Sequence, residues 1–434
     1  RHVLLIMISA FCLYSFITWR ARPPIPKRWD LEQVKTMHLP YAHTNAHAVF
    51  ISEEAYNNLP VRVSYKTYPF YMPGYEPAGY YDSLRKLDPI VNFDEASLQT
   101  EADWIRAGEI IYDMPTIYRT IDSAMFSLLP AMAAGWQSGG ISADKKGLIP
   151  FVSVSIREKG KIELGFDACG LCHTKQMPDG KLLKGGQGNF LADYFRNVIA
   201  ISSPGYKRLS PQQKLEQFHA FNKRLYHAPW VNHEYQQKYK TIKPGDMERS
   251  LFENSLPGLT TRGNTAFDHP VSIPDLFFLK ERKYLDKTGH NLNRGIGDIM
   301  RYAILNQNLF LSTSYGGFTP NGGPQPTDAN DYRRTGRFSD AQLYALTKFL
   351  YTLKPPPNPE KFPAKLLEKG KTIFIQQGCV TCHTPPLYTN NKLTPVDGFE
   401  PPAAHFRQYD IFNISVGTDP GLSLYTRRGS GYYK

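Results

Sequence analysis

Two copies of the pattern Cys-x-x-Cys-His are the residues of this chain whose types and spacing allow the most specific chemistry. Two thiols two residues apart can form thioether bonds to the two vinyl groups of one porphyrin, and the adjoining histidine can then ligate its iron. The pattern therefore predicts two covalently attached haems of the c type, with His173 and His383 as the proximal iron ligands. The predicted attachment sites are Cys169, Cys172, Cys379 and Cys382.

A redox-active dithiol and a zinc site are the other common uses of closely spaced cysteines. A dithiol needs neither the following histidine nor a second copy of the pattern, and a structural zinc site takes about four cysteine or histidine ligands. Of the five cysteines in the chain, only Cys12 lies outside the two motifs. We therefore expect haem attachment at both motifs and no disulfide bond within the chain.

The chain is long enough for two or three domains, and it is basic. It has 434 residues, with 51 lysines and arginines against 39 acidic residues, for a formal charge of +12. No basic run or known nucleic-acid-binding motif accompanies this charge, so we expect no nucleic-acid partner. An acidic redox partner protein or an anionic membrane surface fits the charge better.

The N-terminal segment predicts a membrane anchor. Residues 3–19 are apolar and uncharged, which is the lower limit of length for a membrane-spanning helix, and no small-x-small cleavage site follows. Haem c is attached on the outer side of the bacterial inner membrane, and long domains cross that membrane largely regardless of flanking charge. We therefore expect a single-pass protein of the bacterial inner membrane with most of the chain in the periplasm; a cleaved signal peptide is the alternative.

Helical periodicity dominates the rest of the sequence. The predicted helices lie at about 101–112, 116–134, 193–201, 211–226, 296–306, 341–353 and 364–376, and residues 149–156 alternate as a short strand. The helix over 364–376 leads directly into the second motif, which is how cytochrome c domains begin. A proline-rich segment at 355–359 marks a boundary between two modules.

These elements predict a mainly α protein with one N-terminal transmembrane helix, two cytochrome c-like haem domains and long loops. The predicted organisation is a transmembrane signal anchor at 1–20, a linker and accessory region at 21–150, a first haem domain at 151–354 and a second haem domain at 355–434.

Several segments of the second half of the chain share a family pattern. They are 270–276 (PVSIPDL), 284–290 (YLDKTGH), 298–302 (DIMRY), 370–374 (GKTIF), the second motif with 384–393 (TPPLYTNNKL), and 416–420 (VGTDP). Over about residues 165–434 the sequence resembles the bacterial di-haem cytochrome c peroxidases. It is most similar to the branch that contains rubber oxygenase and related di-haem oxidoreductases.

The resemblance implies two haem domains that face each other. In this family the first haem is usually the reactive one, where peroxide or dioxygen binds, and the second is usually a six-coordinate relay. This chain departs from the pattern at Asn293, where relatives often have a histidine, and family members continue beyond the segment that matches 426–434. We therefore expect the second haem domain to be incomplete in this chain or to be completed by another subunit.

Residues outside the motifs are harder to assign to the haems. His290 is a candidate haem contact, with a structural histidine as the alternative. Arg301 is a candidate partner of the haem propionates, since guanidinium groups pair well with carboxylates. The glycine-rich segment 184–190 (KGGQGNF) could approach the first haem or be an ordinary glycine turn. The sequence identifies no catalytic acid or base.

Two functions fit these features. The first is a membrane-anchored peroxidase-like oxidoreductase that passes electrons between two haems and acts on peroxide or dioxygen at the first haem. The alternative is a non-catalytic electron-transfer subunit of a larger membrane complex, which the anchor, the basic charge and the incomplete second domain would suit. The distal iron ligands, which the sequence does not identify, distinguish the two.

Overall fold

In the part of the chain that the structure describes, a four-stranded antiparallel sheet is combined with two large hydrophobic cores. This computed structural model describes residues 23–37, 48–138, 141–226, 233–253, 256–260, 271–285, 291–307, 312–315 and 336–391. The α-helices, numbered α1 to α14 in chain order, are Leu31–Met37, Glu53–Asn57, Tyr80–Arg85, Glu101–Asp113, Ser123–Ser138, Cys169–His173, Ala192–Ser202, Pro204–Lys207, Pro211–Tyr226, His233–Lys240, Pro244–Glu253, Ile296–Gln307, Asp340–Leu350 and Ala364–Gln376. The strands, numbered β1 to β12, are Ala48–Phe50, Thr67–Tyr71, Ile117–Thr120, Leu148–Glu158, Lys161–Phe166, Thr174–Gln176, Leu182–Lys184, Leu259–Thr260, Val271–Ser272, Tyr284–Leu285, Asn291–Leu292 and Ser312–Tyr315.

The sheet has the strand order β2-β4-β5-β3, and each strand runs antiparallel to its neighbours. β4 and β5 form a hairpin whose turn contains Gly160, with a φ of +86° that favours glycine. Alternate residues of the hairpin are buried on one face: Val152, Val154, Ile156, Ile162, Leu164 and Phe166. A register shift of one residue would expose this whole set, so the alternation specifies the pairing.

The first core packs helices α5 and α7 against this sheet. Leu129 and Met132 of α5 and Phe195 of α7 are each 1% exposed, and they belong to one cluster with the buried face of the hairpin. The ring of Phe195 meets those of Phe166 and Phe190 edge-on, with centroids 5.2 Å and 5.5 Å away. The chain that follows the first motif is thereby held against the sheet.

The second core centres on the pair α4 and α13, with α1 and α12 beside them. Both helices of the pair begin with a capping box, which satisfies amide groups of their first turns. A Cβ atom at Gly108 of α4 would lie 1.9 Å from the carbonyl oxygen of Ala345 on α13. The two helices therefore approach each other more closely than any residue larger than glycine would allow.

Most predicted helices are confirmed, and α14 has the predicted bounds. The helix expected at 116–134 begins later, because Ile117–Thr120 forms a strand instead. The prediction of a mainly α fold is wrong, since the chain is a mixed α/β protein and its first motif follows strand β5. Only part of β4 is visible as a strand in the sequence, because β2, β3 and β5 are short and depend on partners distant in the chain. The sheet also spans the boundary placed between residues 150 and 151.

The same fold prediction included an N-terminal transmembrane helix. Within the residues that the structure describes, no helix is long and apolar enough to cross a bilayer. The segment predicted as the anchor, residues 3–19, lies outside the described residues.

The contact of Gly108 with α13 predicts a large cost for any added side chain. We expect Gly108→Ala to destabilise the protein by about 3 kcal/mol, because the new methyl group must push backbone away from backbone. The midpoint of urea unfolding measures this cost. Gly205→Ala is the matched control, since a Cβ atom there meets nothing within 4 Å; it should change stability by less than about 1 kcal/mol. Equal midpoints for the two variants would contradict the packing argument.

Candidate haem attachment sites

The first motif is a single helical turn, α6, placed where the two cores meet. Leu171 and Cys172 are buried in the first core, at 0% and 7% exposure, and Cys169 packs against the second core. Asp167, just before the turn, has a φ of +67° and pairs with the guanidinium of Arg196. Sheet, helix α7 and helix α4 therefore all contribute to the position of this motif.

The imidazole of His173 is oriented by a backbone carbonyl. Its Nδ1 lies 2.9 Å from the carbonyl oxygen of Pro274. Because a carbonyl oxygen only accepts, Nδ1 must carry the proton, and the basic lone pair is then on Nε2. A histidine that ligates a metal through Nε2 is usually held in this tautomer by such an outer hydrogen bond.

The glycine-rich segment 184–190 binds the backbone of the first motif. The amide of Gly185 donates to the carbonyl of His173 at 2.7 Å, and the amide of Gly188 donates to the carbonyl of Cys172 at 2.9 Å. Carbonyl groups at the end of a helical turn have no partner within the helix, so the segment satisfies them. The sequence left open whether this segment approaches a haem or is an ordinary glycine turn, and the structure places it directly against the turn of the first motif.

Tyr112 of α4 meets the same end of the turn. Its hydroxyl donates to the carbonyl of His173 at 2.5 Å and lies 3.0 Å from Oγ1 of Thr174 and 3.3 Å from the amide of Gly185. Burial raises the pKa of Tyr112 above its ordinary value, so the hydroxyl keeps the proton that it donates. The backbone of His173 is thus anchored by α4 as well as by the glycine-rich segment.

Lys184 ties the glycine-rich segment to α4. Its ammonium lies 2.5 Å from Asp113 and 2.7 Å from Glu109. Burial alone would lower the pKa of Lys184, but the two carboxylates raise it, so the amine stays charged. For Asp113, burial raises the pKa, and Lys184 opposes that shift. The cluster fixes the start of the segment beside Tyr112.

A cleft of about 280 Å³ borders the first motif turn. The turn contributes Gly170 and Leu171 to its wall, which Asp113 and Lys184 also line. Its volume falls below the roughly 300–1,000 Å³ of typical ligand sites, and these two charged groups already pair with each other. We assign no ligand to it.

The second motif has the same histidine arrangement in more exposed surroundings. Helix α14 ends at Gln376. Gly378, with a φ of +73°, then leads into a short 3₁₀ turn, Cys379–Thr381. Nδ1 of His383 lies 3.1 Å from the carbonyl oxygen of Tyr388, so the lone pair is again on Nε2. Cys379 and His383 are exposed.

One segment, residues 274–283, contacts both motif regions. Pro274 accepts the hydrogen bond from His173 at its start. At its end, the side chain of Asn391 donates to the carbonyl of Glu281 at 3.1 Å and accepts from the amide of Lys283 at 3.0 Å. Asn391 lies three residues after Tyr388, whose carbonyl orients the ring of His383. The segment 274–283 therefore connects the supports of the two histidines.

Of the candidates outside the motifs, Arg301 is buried in the second core. Its guanidinium donates to Asp298 and to the carbonyl of Lys27, both at 3.0 Å. Its Nε is buried and has no hydrogen-bond partner among the described residues. These contacts give Arg301 a structural role, and its pairing with a propionate stays a prediction. His290 lies outside the described residues.

The structure adds residues that the sequence did not indicate. Asn293, noted only as a departure from the family, donates to the carbonyls of Leu279 and Arg282 and so shapes the segment 274–283. Pro274 and Asn391 act through backbone or amide groups, which carry no signal of chemistry in a sequence. Tyr112 lies in a helix that was predicted, but nothing in its periodicity separates it from an ordinary core tyrosine.

The residues at both motifs fit a c-type haem. The four motif cysteines are in no disulfide bond, and each histidine has the tautomer that ligates through Nε2. In the last turn of α14, which leads to the second motif, Ile373 and Ile375 are 48% and 51% exposed, and apolar side chains line cofactor sites. Among the described residues, His, Cys, Asp and Glu side chains form no group of three or more that could hold a metal ion by themselves.

No protein-family model, curated protein or solved structure matches this chain. The resemblance to di-haem cytochrome c peroxidases therefore stays a prediction from the motifs.

The contact between Gly188 and the first motif predicts a selective defect. A Cβ atom at Gly188 would lie 2.2 Å from the carbonyl oxygen of Cys172. We expect Gly188→Ala to displace the segment and to abolish most haem attachment at the first motif, with the second motif unaffected. Mass spectrometry of the two motif peptides measures attachment at each.

Gly186→Ala is the control for this experiment. It lies in the same segment, but its Cβ atom would have no neighbour nearer than 3.3 Å. Haem attachment at the first motif should be close to that of the unchanged protein. Loss of haem in both glycine variants, or in neither, would contradict the role given to Gly188.

Proposed function

We propose that this chain is a c-type cytochrome with one covalent haem at each motif, and that electrons pass between the two sites. The observation that carries the proposal is the repeated hydrogen bond from histidine Nδ1 to a backbone carbonyl, Pro274 at the first motif and Tyr388 at the second. Two motifs in different surroundings share the same outer support, and with Nδ1 protonated the lone pair that can ligate iron is on Nε2.

The chain supplies attachment, orientation and shielding. Cys169 and Cys172 would hold one haem and Cys379 and Cys382 the other. Haem iron, when bound, supplies a one-electron couple and, where a distal position is open, a site for peroxide or dioxygen. The segment 274–283 supports the proposal that the two sites communicate, since it contacts the supports of both histidines.

The different exposure of the motifs suggests a direction for the electrons. The second motif is largely exposed and follows helix α14, which carries the exposed lysines Lys365, Lys369 and Lys371. A basic surface of this kind suits contact with an acidic redox partner protein. The first motif is largely buried between two cores, and electrostatic interactions are stronger where less water is present. We propose that electrons enter at the second site and that a peroxidase-like reaction, on peroxide or dioxygen, takes place at the first.

A non-catalytic relay subunit is the second candidate. The observation that favours it is the apolar surface of α14, where Leu366, Leu367, Ile373 and Ile375 are each about half exposed. Large apolar side chains exposed on a helix can mark contact with another protein. In either case, we propose a periplasmic location, because that is where bacteria attach haem c.

Haem content tests the proposal directly. The chain, produced in a bacterium that attaches haem c in its periplasm, should carry two haems that remain bound after denaturation. Cys172→Ser and Cys382→Ser should each impair covalent attachment at their own motif only, because each thiol serves one porphyrin. Mass spectrometry of the motif peptides reads both results. An unmodified pair of motifs under these conditions would refute the proposed function.

The peroxidase-like reaction and the relay differ in their spectra and in turnover. If the chain is peroxidase-like, we expect a high-spin signal, cyanide binding and peroxide-dependent oxidation of an artificial electron donor. Turnover should be lost when both cysteines of the first motif are changed to serine. Two fully low-spin haems that bind neither cyanide nor peroxide would favour the relay.

A further inference from the structure

The hydroxyl of Tyr112 is the point where three supports of the first motif meet. It donates to the carbonyl of His173, and with that single proton committed, its oxygen accepts from Thr174 and from the amide of Gly185. The tyrosine side chain is fully buried. A buried hydroxyl with three partners at the end of one helical turn is more than core packing requires.

The position of Tyr112 is itself closely determined. Its ring lies 5.3 Å from that of Phe349 on α13, and a Cβ atom at Gly170 of the motif would lie 3.2 Å from its ring. One helical turn before Tyr112, the contact of Gly108 with Ala345 fixes helix α4 against α13. The hydroxyl is therefore presented from a rigid element.

Both anchors of His173 converge on this hydroxyl. The backbone anchor is the hydrogen bond from Tyr112 itself. The ring anchor is the carbonyl of Pro274, and the segment that carries it is attached to Gly185 through the amide of Leu276, which donates to the carbonyl of Gly185 at 2.7 Å. Gly185 in turn donates to both His173 and Tyr112.

We propose that Tyr112 is a positioning residue that sets the reduction potential of the first haem by holding His173 against the carbonyl of Pro274. The inference rests on the proposed function. A hydrogen bond from Nδ1 increases electron donation by the imidazole, which favours the ferric state. Loss of the tyrosine hydroxyl loosens this hydrogen bond, so the ferrous state becomes easier to reach and the potential rises.

The test compares Tyr112→Phe with the unchanged full-length protein by spectroelectrochemical titration. The variant keeps the ring and its packing and removes only the hydroxyl. We expect the reduction equilibrium of the first haem to shift about tenfold toward the ferrous form, which is about 59 mV for a one-electron couple. The second haem should not change. The two couples are assigned by repeating the titration after Cys379 and Cys382 are both changed to serine.

Tyr80→Phe is the matched control, because the hydroxyl of Tyr80 also donates to a backbone carbonyl, that of Pro69, at 2.7 Å. It should leave both potentials unchanged. An unchanged first potential in Tyr112→Phe, or an equal shift of both haems, would overturn the proposal. A wild-type chain without a first haem would instead overturn the proposed function, and haem analysis detects this before any variant is compared.

A second variant covers the case in which Tyr112→Phe loses the first haem altogether. Thr174→Val removes one partner of the tyrosine hydroxyl and keeps the shape of the side chain. We expect a smaller shift of the first potential in the same direction. If Tyr112→Phe carries no first haem and Thr174→Val leaves the potential where it was, Tyr112 has a folding role only and the proposal is wrong.

Discussion

The close approach of α4 to α13 is the contact on which the first motif depends. Gly108 permits it, because any larger residue would collide with the carbonyl of Ala345. The approach places Tyr112 at the end of the motif turn and brings Lys184 within reach of the carboxylates of α4. A contact between two helices, neither of which contains a motif residue, thus determines where His173 lies.

The two motifs show how one short pattern can be used in two environments. At the first, sheet, helix and glycine-rich segment enclose the turn, and Cys172 is nearly inaccessible to water. At the second, a single helix precedes the turn, and His383 is exposed. The histidine tautomer is the same in both, because each ring donates to a nearby carbonyl. Local geometry therefore puts the lone pair of both histidines on Nε2, while burial makes the second motif more accessible to solvent than the first.

The segment 274–283 gives the two sites a shared support. It carries the carbonyl that orients His173 and the backbone groups that bind Asn391. Asn293 holds this segment in shape through two carbonyls. An amide suits that role, since its NH₂ group can donate to both at once. The residue that departs from the resembled pattern thus has a structural use in this chain.

By itself, the sequence predicted haem attachment at the motifs and determined the position of most helices. Both depend on residues close together in the chain: the spacing of Cys169, Cys172 and His173, or the periodicity that makes α14 a helix. The sheet, the carbonyl of Pro274 and the hydroxyl of Tyr112 were decided only by the tertiary structure. Strand pairing joins distant segments, a backbone carbonyl looks the same at every position in a sequence, and a buried tyrosine acquires a role only from what it meets.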